Sequence, residues 1–589
     1  MAHEQAGPTS VGGASLVRRG ADYFKMSGEI EFIAAASLFV LMVLVRVINI
    51  TRYRFDSDEA QHLHVIWGWT RGLVQYRDLF DNHMPLFHIL LAPIFGLIGE
   101  RPTVLYWMRF ILLPMYFVAA WCTYRIAAVI FSRRVGVWSV ILVGLFFRYH
   151  FISLEFRTDN VWAPLWLLCM TVLVSGSFSV SRMLVAGVFL GLCFAVSPKS
   201  VLFLISLGIA APLSLFLVHG RKVRATWGHV CGCAAFLAAT FVIPATIITF
   251  FGLKGVGQEF RSCVLDHNAL AARVYHSEGI LRHTPLVVAL IVIAVCGVVF
   301  YAARILTREI DDAGLAYRRG LVLFVCVAYF LLLKSGIWPL IGHDDFPPFY
   351  PLAFILFCGA VIHLSDRLRH CDLNILRTLG FGALPIILAV AEIFLLVAKR
   401  PFWQDRARRE ANLLRDVLAL TDRHNYVLDC KGETVFRRRC FRPVFETITR
   451  RSIERGLIAD DAPQRCIETR TCVVATMLMK RFSRGTRQFV KRNYLPVTDS
   501  LRVAGVRLKN SAGLRRFDFE IVIPASYQII SNRNPVSGTL DGTPFDGGRF
   551  LAAGPHTFES ASATDDLIAL WTQAVDRHFT PFNKSQSGQ

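Results

Sequence analysis

The sequence predicts an α-helical polytopic membrane protein with about eleven transmembrane helices, followed by a soluble C-terminal region of α/β and β-rich structure. Composition is the first reason, because 54% of the 589 residues are hydrophobic, 18% are charged and the mean hydropathy is +0.45. The second reason is that apolar stretches of about 20 residues, long enough to cross a bilayer as helices, recur between residues 31 and 398. The third reason is that these stretches stop near Ala398.

The N-terminal segment, residues 1–31, is polar and Gly-rich and carries Arg18, Arg19 and Lys25. We interpret it as a cytoplasmic tail, because basic residues beside a span stay on the cytoplasmic side. No small-residue cleavage pattern follows the first apolar run, so an uncleaved anchor is expected. The first span is predicted over residues 32–50 and leads into an external loop.

The first external loop, residues 51–103, is predicted to hold two helices that lie at the membrane surface. Residues 58–72 have an amphipathic pattern, and residues 84–99 form an apolar run of about 16 residues, which is short for a crossing. If the second run crossed the membrane, Arg133 and Arg134 would fall on the outer side. The positive-inside rule disfavours that arrangement.

The remaining spans complete a transmembrane domain over residues 32–398. They are predicted at roughly residues 104–131, 135–152, 161–176, 183–196, 201–218, 228–251, 284–305, 320–340, 347–364 and 375–398. This assignment puts the basic clusters of the loops on one side, which makes the C-terminus external. In such a protein the net charge of +21 serves topology, so no nucleic-acid partner is expected.

The soluble tail is predicted to contain an external α/β region, residues 399–492, and an external β-rich, sandwich-like domain, residues 493–589. Helices are expected over residues 402–424 and 445–457, and strands over residues 426–429 and 472–477. The segments LRVAGVRLK, FDFEIVI and YQIIS are typical of strands. The tail is basic, and we expect it to rest on anionic membrane lipids, to bind an acidic glycan acceptor, or to present a solvated basic surface.

Four cysteines of the tail support the external assignment. Cys430, Cys440, Cys466 and Cys472 are an even number, as expected for two disulfides in an oxidising compartment. A zinc site is the alternative, although no Cys-x-x-Cys pair occurs among them. The sequence leaves the connectivity of the disulfides open.

Candidate catalytic residues follow the first span. Asp56 and Glu59 have the spacing of a capping box, which explains these two residues structurally. Asp58 is left over, and it shares a helix face with His62, four residues later. A carboxylate at this position could take a proton from an attacking hydroxyl group. We therefore expect Asp58 to be a catalytic base.

A second charged cluster lies at the outer end of the third span, in the segment SLEFRTDN. Glu155 and Asp159 share a face, and Arg157 lies between them. An interfacial ion pair is the structural alternative, but both acidic clusters are predicted on one side, where they could share a polar cavity. Arg109 and Lys199 are expected at the same level. Converging cations favour an anionic headgroup such as a lipid phosphate, whereas isolated ones usually snorkel.

The last external loop, GHDDFPPFYPL, contains a further acidic cluster. His343, Asp344 and Asp345 have the residue types of a metal site. Because a cluster of three is weak support, we interpret this segment as a solvated turn. No metal site and no definite cofactor are assigned from the sequence, and a need for a divalent cation stays open.

The order of these motifs is similar to a known family. The Asp58-Glu59 pair precedes Tyr76-Arg77-Asp78 and a His-x-Pro-Leu motif at residues 83–86, and Arg157-Thr158-Asp159 and Lys199 follow. This order, over residues 31–400, resembles the GT-C integral-membrane glycosyltransferases. The similar branch groups protein O-mannosyltransferases (glycosyltransferase family 39 type) with the aminoarabinose transferase acting on lipid A.

The resemblance implies a GT-C fold and an enzyme of the bacterial inner membrane that moves a sugar from a polyprenyl-phosphate donor to a glycan, lipid or protein acceptor on the periplasmic side. It implies Asp58 as catalytic base. Glu59 and Asp159 are further catalytic candidates, and the candidate substrate- and phosphate-binding residues are His62, His83, Arg157, Lys199, Arg109 and Glu155.

One departure from the family pattern limits what is transferred. Where the aminoarabinose branch has Glu-Lys-Pro, this chain has His83-Met84-Pro85, so the sugar and the metal site of that branch are not carried over. The alternative function is a transporter or flippase for an anionic lipid-linked glycan, although no internal repeat supports it. A non-catalytic member with a scaffolding tail is the third possibility.

Overall fold

The computed structural model describes residues 12–218, 227–274, 285–308, 310–335, 342–368, 383–508, 515–532, 534–561 and 566–582. Parts of the predicted spans 320–340 and 375–398 lie outside these residues. The same is true of the basic cluster Arg221, Lys222 and Arg224.

Among the described residues, each predicted span contains one or more helices. The helices are α1 (Gly12–Arg52), α2 (Ser57–Thr70), α3 (Leu86–Ile98), α4 (Val104–Ile130), α5 (Arg133–Leu145), α6 (Phe147–Ile152), α7 (Asp159–Val174), α8 (Val180–Val196), α9 (Val201–Leu217), α10 (Trp227–Leu253), α11 (Gly257–Arg261), α12 (His267–Val274), α13 (Pro285–Thr307), α14 (Ala313–Ser335), α15 (Phe349–Leu368) and α16 (Leu384–Lys399).

Six of the described helices are long and apolar enough to cross a membrane, so the chain is a multi-pass membrane protein. They comprise residues 29–52 of α1, then α4, then α9 with the short 3₁₀ turn before it, then α10, α14 and α15. The other helices at predicted spans are shorter, interrupted or only partly described. The total of eleven crossings therefore stays a prediction.

The two helices predicted in the first loop are present as α2 and α3. Asp56 caps α2 and forms the predicted capping box, in which Glu59 accepts from the Asp56 backbone N–H at 2.7 Å. Helix α3 has 13 residues and is therefore about 20 Å long, too short for a hydrocarbon core of about 30 Å. Its length fits the predicted surface position.

Close helix packing depends on two glycines of α8. A Cβ atom at Gly187 would lie 2.3 Å from the carbonyl oxygen of Phe236, and one at Gly191 would lie 2.9 Å from that of Ala239. Small residues four apart allow the backbones of α8 and α10 to approach this closely.

Aromatic packing fixes the start of α7 against the start of α9. The Trp162 indole N–H donates to Ser200 Oγ at 2.8 Å, and both Trp162 and Trp166 stack on Phe203. The charged segments that precede these two helices are thereby held on one side of the bundle.

The described residues of the tail contain five α-helices and two sheets. The helices are α17 (Arg408–Leu420), α18 (Thr447–Glu454), α19 (Ala462–Glu468), α20 (Arg484–Asn493) and α21 (Thr572–Asp576). The strands are β1 (Tyr426–Leu428), β2 (Arg438–Arg439), β3 (Val473–Ala475), β4 (Tyr494–Pro496), β5 (Leu501–Leu508), β6 (Arg516–Ile521), β7 (Ala525–Ser531), β8 (Asn534–Pro535), β9 (Gly538–Leu540), β10 (Thr543–Phe545), β11 (Gly548–Leu551), β12 (Gly554–Ser560) and β13 (Leu567–Trp571).

The predicted boundary at residue 493 does not separate two structural units. The larger sheet has the order β11-β7-β13-β5-β3-β1-β2, and β5 pairs with β3 across that boundary. The smaller sheet, β10-β9-β12-β6, shares one hydrophobic core with it. The three-residue strand β3 pairs with β1 on one side and β5 on the other, so it joins the two predicted regions in one sheet.

The four tail cysteines are buried and unbonded in the structure. Cys440 and Cys466 are neighbours, with their sulfur atoms 3.4 Å apart. The thiol of Cys430 donates to Leu478 O, and that of Cys472 donates to Arg470 O. Two disulfides among these cysteines, with open connectivity, stay a prediction.

Candidate active site

Four segments that are distant in sequence meet at one charged site. They are the N-terminus of α2, the loop 153–158 before α7, the 3₁₀ turn His343–Asp345, and the tail loop 429–434. The two predicted acidic clusters therefore lie together, as the sequence indicated.

Arg157 is the centre of this site. Its guanidinium lies 2.8 Å from Asp58 Oδ2 and 3.1 Å from Asp344 Oδ2. Three further carboxylates surround it, with Asp159 at 3.4 Å, Glu155 at 3.5 Å and Asp56 at 3.7 Å. Two further cations pair with members of this group, Arg54 with Asp56 at 3.0 Å and Lys431 with Asp58.

Asp58 bridges two cations. One oxygen contacts Arg157 and the other accepts a hydrogen bond from Lys431 Nζ of the tail loop. Burial raises the pKa of Asp58, but the charges of Lys431 and Arg157 outweigh burial and hold the pKa well below its ordinary value. The side chain is still 20% exposed, so Asp58 is an ionised carboxylate that solvent can reach.

Glu59, the next residue, has a different environment. Its carboxylate accepts from Arg109 Nε at 2.7 Å and Nη2 at 2.6 Å, and from the backbone N–H of Phe156 at 2.7 Å and of Asp56 at 2.7 Å. Both side chains of the Glu59–Arg109 pair are fully buried. Glu59 and Arg109 thus hold α2 against α4 and have no accessible atom left for a substrate.

The two other predicted acidic residues differ from each other. Burial raises the pKa of Glu155 well above its ordinary value, and the charge of Arg157 only partly offsets this shift. Asp159 begins α7, where a carboxylate is favoured by the helix dipole, and it contacts Arg157.

Lys199 is linked to this site by an ion pair with the last external loop. Its Nζ pairs with Asp345, which is buried, and Tyr329 donates to the backbone oxygen of Asp345 at 2.9 Å. Asp344 of the same turn binds Arg157. The prediction that His343–Asp345 is a solvated turn is therefore wrong, because two basic side chains from other segments draw its acidic residues into the site.

The predicted binding residues His62 and His83 lie in a separate cluster behind Asp58. His62 Nδ1 lies 3.1 Å from His88 Nε2, and His83 Nδ1 lies 2.9 Å from Asp81 Oδ1. Burial lowers the pKa of His62 well below its ordinary value and lowers that of His88 to about 4. Both imidazoles are neutral at pH 7.

A basic cavity of about 450 Å³ lies beside the site, between the first loop and the tail. Lys431 is in its wall and also contacts Asp58. The other charged residues of its wall are Arg77, Asp78, Arg438, Arg439 and Arg442. The volume of this cavity is in the usual range for small-ligand sites, and its basic lining favours binding of an anionic group.

Nothing in the sequence identified Lys431 as a residue of the site. This residue is 373 positions from Asp58 and lies in a tail segment without a motif. The nearest signal was the basic composition of the tail. Asp344 was visible as part of an acidic cluster, but its pairing with Arg157 depends on the three-dimensional fold.

The structure is similar to ArnT from Cupriavidus metallidurans. The apo form of ArnT aligns with a TM-score of 0.50 at 11% identity, covering 80% of this chain and 97% of ArnT. The form bound to undecaprenyl phosphate gives the same TM-score and identity, with 79% and 97% covered. An Archaeoglobus fulgidus oligosaccharyltransferase aligns with a TM-score of 0.46 at 12% identity, covering 78% of this chain and 72% of that enzyme.

No family model matches the sequence, and a search of curated proteins finds no match. Identity of 11% establishes a shared fold and nothing finer. The chain therefore has the GT-C fold that its motifs resemble, together with a C-terminal region of strands.

Proposed function

We propose that this protein is a membrane glycosyltransferase that moves a sugar from a polyprenyl-phosphate donor to an acceptor on the periplasmic side of the inner membrane. The observation that carries the proposal is the reachable, ionised carboxylate of Asp58 held by two cations, Arg157 and Lys431. Such a site combines a base for the acceptor with positive charge for a phosphate leaving group. The fold shared with ArnT, which binds undecaprenyl phosphate, supports a lipid-linked donor.

The contacts of Asp58 suggest how the site is activated. The donor phosphodiester carries one negative charge, as the carboxylate does, and further negative charge develops on the leaving phosphate as the sugar–phosphate bond breaks, so it competes with Asp58 for Arg157 and Lys431. Once these cations turn to the phosphate, one Asp58 oxygen is free to accept the acceptor's proton, and the pKa of Asp58 moves back toward its ordinary value. Lys199, held by Asp345, supplies a third cation near the same level.

Asp58 is a better candidate base than the other two acidic residues named from the sequence. Glu59 is saturated by four donors within the protein. Asp159 is buried and contacts Arg157 Nε, so we assign it a positioning role for that guanidinium. The basic cavity beside Lys431 supports an anionic acceptor, because it offers four arginines against one aspartate.

The test compares cells that lack the chain with cells complemented by wild-type protein or by Asp58→Asn. Mass spectrometry of polyprenyl-phosphate sugars and of surface glycans is the measurement. Cells with Asp58→Asn are expected to accumulate the same lipid-linked sugar as the deletion strain and to lack the same glycan modification. The matched control is Asp566→Asn, an exposed tail residue at 74% side-chain exposure, which should complement fully. Full complementation by Asp58→Asn, with both variants present in the membrane, would disprove the proposal.

A further inference from the structure

The histidine cluster behind Asp58 has no role in the proposed transfer reaction. We propose that His62, Asp81 and His88 form a binding site for a divalent transition metal, with Zn²⁺ as the ion expected. This metal would join α2, which carries His62, to α3, which carries His88. It would be a structural ion of the first loop, independent of the sugar transfer itself.

The geometry brings three ligand atoms together. One ligand atom from each of His62, Asp81 and His88 lies within 4.8 Å of the others, and all three residues are buried. Ligands of zinc lie about 2.0–2.2 Å from the ion, so the atoms of a ligand pair are at most about 4 Å apart. An inward movement of less than about 1 Å would bring the widest pair to that separation.

The burial of Asp81 is a second observation that points to a cation. Its carboxylate is fully buried, and among the described residues no lysine or arginine pairs with it. Its nearest basic neighbours are the imidazoles of His83 at 2.9 Å and His88 at 3.3 Å. Because a buried carboxylate is normally paired or bound to a metal, a divalent ion would be a suitable partner for it.

The three ligand side chains suit zinc, and the residues around them resemble the outer contacts of known metal sites. Two neutral imidazoles and one carboxylate are ligands that zinc accepts, and a water molecule completes the usual four. Gln75 Nε2 donates to Asp81 Oδ2 at 2.7 Å, which orients the carboxylate. Outer contacts of this kind hold metal ligands in place.

The experiment measures metal content in the full-length protein, purified in detergent without a histidine tag. The protein is stripped with a chelator, reloaded with Zn²⁺ alone, desalted and analysed by inductively coupled plasma mass spectrometry. We expect about one zinc per chain in the wild type, and a higher unfolding temperature after reloading. His62→Ala, His88→Ala and Asp81→Asn should each lose the bound zinc.

Two further variants keep the result interpretable. His64→Ala removes an equally buried histidine of α2 that contacts Val435 O instead of this cluster, so it should retain the zinc. Gln75→Ala should weaken zinc binding by about 10–100-fold, because it removes an outer contact to Asp81. Asp81→Asn preserves the side-chain volume, so a folded, monodisperse sample of this variant separates loss of metal from loss of fold.

Two outcomes would overturn the assignment. The first is a reloaded wild-type protein that retains no zinc. The second is zinc retention in the His62, His88 and Asp81 variants equal to that of His64→Ala, which would place the metal elsewhere. Because the readout is metal content, neither outcome depends on whether the protein transfers sugar.

Discussion

Asp58 and Glu59 are adjacent acidic residues on the first turn of one helix, yet they have opposite environments. Glu59 lies in a dry, fully hydrogen-bonded pair with Arg109, whereas Asp58 lies at a partly exposed site between Arg157 and Lys431. Both sites contain a carboxylate–guanidinium pair. The comparison teaches that completeness of hydrogen bonding and burial, and not the presence of such a pair, separates a closed structural anchor from a site that solvent can reach.

The largest effect is expected when the buried Glu59–Arg109 ion pair is broken. Arg109→Met leaves Glu59 buried without its cation, which should destabilise the protein by about 3–5 kcal/mol. Thermal unfolding in detergent and the yield of folded protein are the measurements. Arg577→Met is the control, because Arg577 pairs with Asp422 at the surface and should change stability little. Equal loss in the two variants would contradict the role of Glu59 and Arg109 as an anchor.

At the partly exposed site of Asp58, removing one charge of an ion pair should lower activity more than stability. Asp58→Asn is expected to lower sugar transfer by about 10²–10⁴-fold, the usual contribution of a general base. The unfolding temperature should change much less than in Arg109→Met, since Asp58 remains partly solvated. A large loss of stability in Asp58→Asn would mean that Asp58 is a second anchor.

Arg157→Lys tests whether the centre of the open site needs a planar guanidinium. Lysine keeps the charge, but its single ammonium group cannot reproduce the contacts that the planar guanidinium of Arg157 makes with Asp58 and Asp344. We expect at least about tenfold slower transfer at low donor concentration, with partial recovery at high concentration. Transfer rates measured against donor concentration check this, and wild-type kinetics in Arg157→Lys would contradict it.

A smaller effect is expected from Lys431→Met, which removes one of the two cations on Asp58. Because Lys431 lowers the pKa of Asp58, its loss raises that pKa, and a higher pH is then needed to ionise the carboxylate. The acidic limb of the pH–rate profile should shift to higher pH. Arg423→Met is the control, a basic residue of the tail outside the site, and its profile should match the wild type. An unshifted limb in Lys431→Met would show that the tail does not tune Asp58.

Glu433 gives the smallest expected effect, on the stability of the loop that carries Lys431. Burial raises its pKa from 4.5 to about 7, and its carboxylate accepts from the backbone N–H groups of Cys430 and Lys431. A raised folded-state pKa means that Glu433 contributes stability below pH 4.5 and that this contribution is lost as the pH rises through about 7.

Glu433→Gln should remove this pH dependence, because glutamine resembles the protonated acid. Unfolding temperatures measured between pH 5 and pH 8 are the test. The wild type should lose stability across this range, whereas the variant should lose less. The same slope in both proteins would assign the dependence to another group.

Much of the architecture followed from local patterns in the sequence. The capping box of Asp56 and Glu59 and helices α2 and α3 were predicted, because caps and hydrophobic periodicity act over a few residues. The meeting of the two acidic clusters was predicted from the distribution of basic loops, which placed both clusters on one side of the membrane. The continuous tail sheet was not predicted. Its pairing of β3 with β5 joins segments that the composition had separated at residue 493.

The sequence by itself determined the membrane helices, their order and the acidic pair after the first span, since these depend on hydrophobicity and short-range spacing. The capping-box spacing set Glu59 apart from Asp58, but only the tertiary structure decided which side chains bind each acid. Arg109 binds Glu59 from 50 residues away, and Lys431 contacts Asp58 from 373 residues away. Contacts at such separations leave no periodic signal in the chain, so only the folded packing of α4 and the tail against α2 shows why Glu59 is closed and Asp58 is partly exposed.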